Sequence, residues 1–335
     1  MPGRHKTAAG ELLINELNVN KDSGEIPLYQ FWQPRFWPLW AGILILRLLV
    51  LLPYRLQMAL GRRLGRLLCR IIPERQNIAA VNLRLCFPEL DENQLQDAVR
   101  EHFESLGMGI FELALSWWIS DAAAMKLIRI DGVENVTEPL RAGRGVILVS
   151  GHFASIELTG RVLRLSFPSS AAMYRPMKNP MVDQIMRRAR RSSADQLISK
   201  DDMRQMIRAL REGLLVWYAP DQSYSRKYSV LVPFFNEPAM TNAALTHIAR
   251  ISKACVVLYV PRRLADGSGY YAEIKPALED FPSDDPAADA LRINKLLEEK
   301  IRLAPEQYYW IHRRFKDRPE PFPDPYAGPA AEHSN

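Results

Sequence analysis

The stretch Gly145-Val146-Ile147-Leu148-Val149-Ser150-Gly151-His152-Phe153-Ala154-Ser155-Ile156-Glu157 decides the fold. Val146 to Val149 is an apolar run of strand length, and Ser150-Gly151 ends it at once. His152 follows, and Glu157 falls within the first turns of the next helix. Residues five apart on one helix point about 140° away from each other. The two side chains therefore meet only if His152 sits in the turn and Glu157 reaches back to it. The carboxylate would then hold one ring nitrogen and leave the other to take a proton, the geometry of a general base with an orienting partner. The same spacing is common among surface residues. Its place here gives it weight, because open α/β sheets put their ligands at the carboxyl ends of strands.

Two more strand ends carry polar side chains. Residues 171–174 form a strand closed by Arg175-Pro176 and Asn179-Pro180, and Pro176 holds the preceding residue extended. A guanidinium there can face a developing oxyanion or a phosphate. Residues 214–219 form a buried strand ending in Pro220-Asp221-Gln222, which brings Asp221 out at a third strand end. Between them lies a helix over 181–191 with Arg187, Arg188, Arg190 and Arg191, either a solvated face or a dock for phosphate or an acidic carrier. A further helix starts at Asp201 and closes at Gly213. Beyond these, Thr241 caps a helix to Ile251. Cys255 to Val260 is a strand with Cys255 as inert core, and Asp266-Gly267 turns into a strand over 270–274 as a hairpin. A helix over 288–303 leads to His312-Arg313-Arg314-Phe315. His312 is a rival base, among aromatics and arginines that suit a structural or substrate-facing role.

Upstream, Phe31, Trp32, Phe36, Trp37 and Trp40 form an aromatic cluster of membrane-interface type. Residues 39–52 follow, apolar apart from Arg47 and closed by Pro53, too short for the ~20 apolar residues of a span. A tilted or half-inserted anchor is expected. Arg55, Arg62, Arg63, Arg66 and Arg70 alternate with Leu60, Leu64, Leu67 and Leu68, as in a helix lying on an anionic surface. Asp91 is the expected N-cap of a long helix over 92–118. In that helix His102 reads as structural and Glu101, Glu104 and Glu112 as solvated.

The chain has 335 residues, enough for a sizeable core, and a net charge of +6 that favours acidic partners. Cys69, Cys86 and Cys255 make neither a disulfide framework nor a zinc site. The first thirty residues carry no secretory apolar core and read as a mobile extension with a short amphipathic helix near Glu11 to Leu17. There is no glycine-rich phosphate loop, metal-ligand cluster or repeat. Strand–helix alternation from about Arg129 to Ile274 gives an α/β class: a mixed, largely parallel sheet flanked by helices, behind a membrane-associated helical region.

Six blocks, taken together, resemble the bacterial lipid A secondary acyltransferases of the lysophospholipid acyltransferase superfamily, the lauroyltransferase branch above all. These are Pro34 to Pro38, Asn82 to Glu89, Gly151-His152 to Glu157, Tyr174-Arg175-Pro176 with Asn179-Pro180, Val216 to Asp221, and Ala304 to Gln307 running on through Trp310 to Lys316. The resemblance implies a glycerolipid acyltransferase-like fold over 73–318; the residues themselves give the anchor and basic amphipathic helix over 31–72 and a loosely ordered Pro-rich tail over 319–335. It implies an inner-membrane enzyme at the cytoplasmic face that moves an acyl chain from acyl carrier protein to a hydroxyl of a Kdo-bearing lipid A precursor. His152 would be the base and Glu157 its orienting acid. Arg175, Asp221, Asn179, His312, Arg313 and Arg314 would serve the oxyanion or substrate, and Arg187, Arg188, Arg190 and Arg191 the carrier or phosphate. No metal, cofactor or nucleic acid is implied, since the thioester is already activated. Two other readings stand beside it: the same chemistry on another glycolipid or phospholipid, and a non-enzymatic membrane protein that binds anionic lipid.

Overall fold

The computed structural model describes residues 26–167, 170–174, 176–191, 194–199, 202–225 and 227–327, with only the backbone of Arg191. Arg175, Asp201 and the proposed helix near Glu11 to Leu17 lie outside the described residues.

Nine strands are described: β1 (Ile128–Asp131), β2 (Val146–Val149), β3 (Ser170–Tyr174), β4 (Gln196–Ser199), β5 (Leu215–Tyr218), β6 (Ser229–Phe234), β7 (Glu237–Asn242), β8 (Cys255–Arg263) and β9 (Tyr270–Ile274). Seven pair in the order β1-β9-β8-β2-β5-β3-β4. Only the β8–β9 pair is antiparallel; the Asp266-Gly267 turn makes it a hairpin. The sheet is thus mixed and mostly parallel. β2 lies inside it between β5 and β8, and all four of its residues are fully buried, as the unbroken aliphatic run requires. The β6–β7 hairpin stands apart and was not foreseen. Its second strand takes Thr241, so the residue at the head of the next helix is Ala243, and the Asn242 side chain accepts from the Ala244 amide. β4 was likewise not foreseen.

Eleven α-helices are described, beginning with α1 (Trp37–Leu49), α2 (Tyr54–Ile71), α3 (Pro73–Cys86) and α4 (Glu92–Trp118). Asp91 and Gln94 form a reciprocal capping box at the start of α4. Gly61 and Gly65 of α2 press on Gly107 of α4; a Cβ on Gly65 would lie 2.1 Å from the Phe103 carbonyl oxygen. The remaining helices are α5 (Asp121–Leu127), α6 (Glu134–Arg141), α7 (Ile156–Ser166), α8 (Pro180–Arg191), α9 (Met203–Arg211), α10 (Ala244–Ser252) and α11 (Pro286–Ile301).

The aromatic cluster divides. Phe31 and Phe36 are buried against Ile26 and Met181 of α8, whereas Trp32 and Trp37 are exposed. No residue of α1 is buried, and Leu44, Ile45 and Leu48 are each more than half exposed. No described helix is long and apolar enough to cross a membrane. Glu112 is not solvated: it is buried on α4, where its Oε1 accepts from the Arg263 Nε at 2.6 Å and the Tyr270 hydroxyl at 2.7 Å. His102 is buried as expected, its Nδ1 against the Glu306 carbonyl at 3.2 Å. Burial pushes its pKa down to about 4, so it stays neutral.

Candidate active site

β2 and β5 are parallel neighbours, and Val149 lies opposite Tyr218 in their register. His152 and Asp221 each stand three residues beyond that pair, so the two strand ends deliver them to the same place. The Asp221 carboxylate meets His152 twice: Oδ1 accepts from the ring Nδ1 at 2.7 Å, and Oδ2 accepts from the backbone amide at 2.8 Å. An ionised carboxylate only accepts, so the proton of neutral His152 sits on Nδ1. Nε2 is then left without a partner among the described residues, ready to receive a proton. Gly151 permits this approach, since a Cβ there would lie 3.3 Å from Asp221 Oδ2 and 3.1 Å from the Phe153 ring.

Asp221 is 1 % exposed, while the His152 side chain keeps 33 % of its surface open. Burial alone would lower the pKa of His152, but the charge and hydrogen bond of Asp221 outweigh it, and the imidazole titrates above its usual value. Burial would raise Asp221; the histidine's charge and hydrogen bonds hold it below the usual carboxylate value instead.

Glu157 does not orient this imidazole. The turn through Phe153 to Ser155 places Glu157 in the first turn of α7, where its carboxylate pairs with Arg190 of α8. Arg190 in turn lies 5.7 Å over the Tyr174 ring. The arginine row of α8 is therefore partly committed: Arg187 pairs with Asp183 at 3.2 Å, and Arg188 is the exposed one among the described side chains. Asn179 is the cap of that helix, its Oδ1 accepting from the amides of Met181 and Val182, so its expected substrate role gives way to a local one.

The chain after α11 closes the site from the other side. The amides of Ala154 and Tyr309 donate to the carbonyls of Gln307 and His152, at 2.9 and 3.0 Å. The Gln307 side chain clamps this segment to β8, accepting from the Arg263 amide at 2.6 Å and donating to its carbonyl at 3.0 Å. Asn82 of α3 donates to the carbonyls of Trp310 and His312 at 2.5 and 2.7 Å. Tyr326 fixes Asn82 in turn, donating to its Oδ1 while accepting from the Phe315 amide. The tail thus has a defined contact as far as Tyr326.

His152, Asp221, Gln222, Tyr309 and His312 line one small cleft with Asn82 and Arg314. Arg314 is buried beside it: its Nη1 and Nη2 donate to the Met240 carbonyl and Thr241 Oγ1, both at 2.8 Å, its Nε has no partner among the described residues, and it stacks 4.9 Å over Phe234. It braces the β6–β7 hairpin. Arg313 points outward, 5.7 Å over the Tyr326 ring. Of the expected site residues the cleft thus gathers His152, Asp221, His312 and Arg314. Sequence reasoning gave no roles to Asn82, Gln307 and Tyr326; the first two stood inside the motif blocks, which was the available signal.

A family model for bacterial lipid A biosynthesis acyltransferases matches residues 28–317. The chain is 40% identical to the lipid A biosynthesis lauroyltransferase of Escherichia coli K12 over 294 residues, 88% of this chain and 96% of that one. It is 39% identical to the palmitoleoyltransferase of the same organism, over 87% of this chain and 94% of that one. Among solved structures, a 1-acyl-sn-glycerophosphate acyltransferase from Thermotoga maritima is similar with a TM-score of 0.35 and 14% identity, over 74% of this chain and 97% of that one.

Proposed function

Because the chain belongs to the bacterial lipid A biosynthesis acyltransferases, an enzyme family, we propose that it moves a fatty acyl chain, laurate or one close to it, from acyl carrier protein to a hydroxyl of a Kdo-bearing lipid A precursor. The observation that carries the mechanism is the double contact of Asp221 with His152, which leaves Nε2 free in an open cleft. A thioester is activated already; an alcohol of high pKa needs a base. His152 Nε2 takes the hydroxyl proton as the oxygen attacks the thioester carbonyl. The tetrahedral intermediate collapses, the C–S bond breaks, and the imidazolium returns the proton to the departing sulfur. Asp221 stabilises the imidazolium between these steps. Glu157 holds Arg190 near this centre, since the guanidinium's charge bears on His152.

The reaction is tested with purified protein, laurate-loaded acyl carrier protein and the Kdo-bearing precursor. The product gains the mass of one lauroyl group. Transfer to lysophospholipid alone would reject the acceptor while sparing the reaction class.

An enzyme with such an acceptor works at a bilayer, and we place this one on the anionic inner-membrane surface facing the cytoplasm. α1 supports this with its row of exposed Leu44, Ile45 and Leu48, an apolar patch with no protein covering it among the described residues. Arg55, Arg62, Arg63, Arg66 and Arg70 of the next helix, α2, are all exposed. At 13 residues α1 is about 20 Å long, against ~30 Å of hydrocarbon. It therefore lies in the interface and does not span it. Glutamate at Leu44, Ile45 and Leu48 together is expected to move the protein from the pellet to the supernatant when spun with anionic vesicles. Turnover of a detergent-dispersed acceptor should persist.

A further inference from the structure

We propose that His312 donates a hydrogen bond from its ring to the oxyanion that forms when the acceptor hydroxyl attacks the thioester carbonyl. This rests on the acyl-transfer reading of the same cleft. His312 lines that cleft with His152, and its Nε2 is buried without a hydrogen-bond partner among the described residues. A buried polar atom without a partner costs stability unless a ligand supplies the missing bond. The surrounding groups do not supply it. Asn82 Nδ2 is spent on two backbone carbonyls, the Nη1 and Nη2 of Arg314 are spent on Met240 and Thr241 while its Nε makes no bond to His312, and Asp221 is spent on His152.

The backbone of His312 is held while its ring is not. Its carbonyl accepts from Asn82 at 2.7 Å, and its amide donates to the Tyr309 carbonyl at 3.4 Å. Asn82 is fixed by Tyr326, nine residues beyond the end of the family match. A ring carried on a braced turn and left unpaired beside the base suits preorganised stabilisation of charge, which costs no rearrangement when the oxyanion appears. Burial pushes the pKa of His312 down to about 4, so the ring is neutral at physiological pH and carries one N–H. It gives a hydrogen bond and keeps its proton, as a neutral imidazole can when it acts as an electrophile. The carbonyl π pair moves to oxygen on attack, His312 bonds to that oxygen, and the pair returns when the C–S bond breaks. The only proton transferred is the one His152 carries from hydroxyl to sulfur.

The test compares wild type, H312A and H312Q in the acyl transfer assay with laurate-loaded acyl carrier protein, as rates over pH, with melting temperatures alongside. H312A is expected to lower kcat by about 10²-fold, the loss of one oxyanion donor. KM should stay within about threefold and the acidic limb, which belongs to His152, should not move. Melting temperature should hold, because the nitrogen removed has no protein partner. H312Q offers an amide N–H at similar reach and should regain about tenfold over H312A. The proposal is overturned if H312A keeps kcat within about threefold, if H312Q is no better than H312A, or if the loss comes with a lowered melting temperature. A wild-type protein that transfers nothing sinks the acyl-transfer reading and this proposal with it; an active wild type matched by H312A sinks this proposal alone.

Discussion

Replacing Asp221 with Asn lowers kcat by about 10⁴-fold, the size of effect seen when the carboxylate behind a catalytic histidine is replaced, and moves the acidic limb of the rate profile to lower pH. The direction follows from the electrostatics. His152 works as a base only when neutral, so the rate rises as pH passes upward through its pKa. Asp221 raises that pKa by its charge and its hydrogen bond to Nδ1. Asparagine removes the charge, the pKa falls, and the limb moves acidward. The plateau collapses all the same, because asparagine has one accepting oxygen for two N–H groups of His152: with that oxygen on the backbone amide, its NH₂ faces Nδ1, which must then accept, and the ring loses the tautomer that keeps Nε2 open. His152→Ala should cost 10²–10⁴-fold, the usual worth of a general base, and abolish the limb. Glu157→Gln separates the two carboxylates. Paired with Arg190, it should leave the limb in place, and a limb that moved with Glu157 instead of Asp221 would refute the assignment.

Truncating Glu112 to Ala is expected to destabilise the fold by about 3–5 kcal/mol, because it strands the charge of Arg263 in the interior. The two side chains are 1% and 6% exposed, so water cannot stand in for the lost partner. Tyr270 loses the acceptor of its hydroxyl at the same stroke. The backbone of Arg263 also holds Gln307, so activity should fall with stability. Replacing both residues with apolar ones of similar size, Glu112→Leu with Arg263→Met, should recover most of the stability, since a buried ion pair gains little over a well-packed apolar one. Denaturant midpoints of the three proteins decide it. A single truncation within about 1 kcal/mol of wild type would show that the pair is not held as described.

The strands β2, β5 and β8 are legible because each is an apolar run followed by a turn or polar residue, and the α4 cap because Asp91, a favoured N-cap residue, stands just ahead of apolar positions at helical spacing. The β6–β7 hairpin was not legible: Glu237-Pro238 opens a strand that carries no alternating apolar signal. The strand-end principle located both halves of the dyad, His152 and Asp221. What local sequence cannot convey is that β5, the third strand after β2 along the chain, lies directly beside it. Nearness along the chain therefore favoured Glu157, five residues away, while sheet order brought in Asp221 from 69 residues away. Glu112 was misread for a related reason: its partner Arg263 lies 151 residues off, and no helix periodicity announces a buried charge.

The seating of the imidazole by residues 307–309 also has a consequence for biogenesis. The dyad stands at the ends of β2 and β5, but the segment that grips the His152 backbone comes from beyond α11 and leaves the ribosome long after both. A nascent chain thus carries an unarmed histidine until Gln307 to Tyr309 have been made, and a product cut short before Gln307 would keep His152 and Asp221 but lose His312 and the grip on the histidine's backbone.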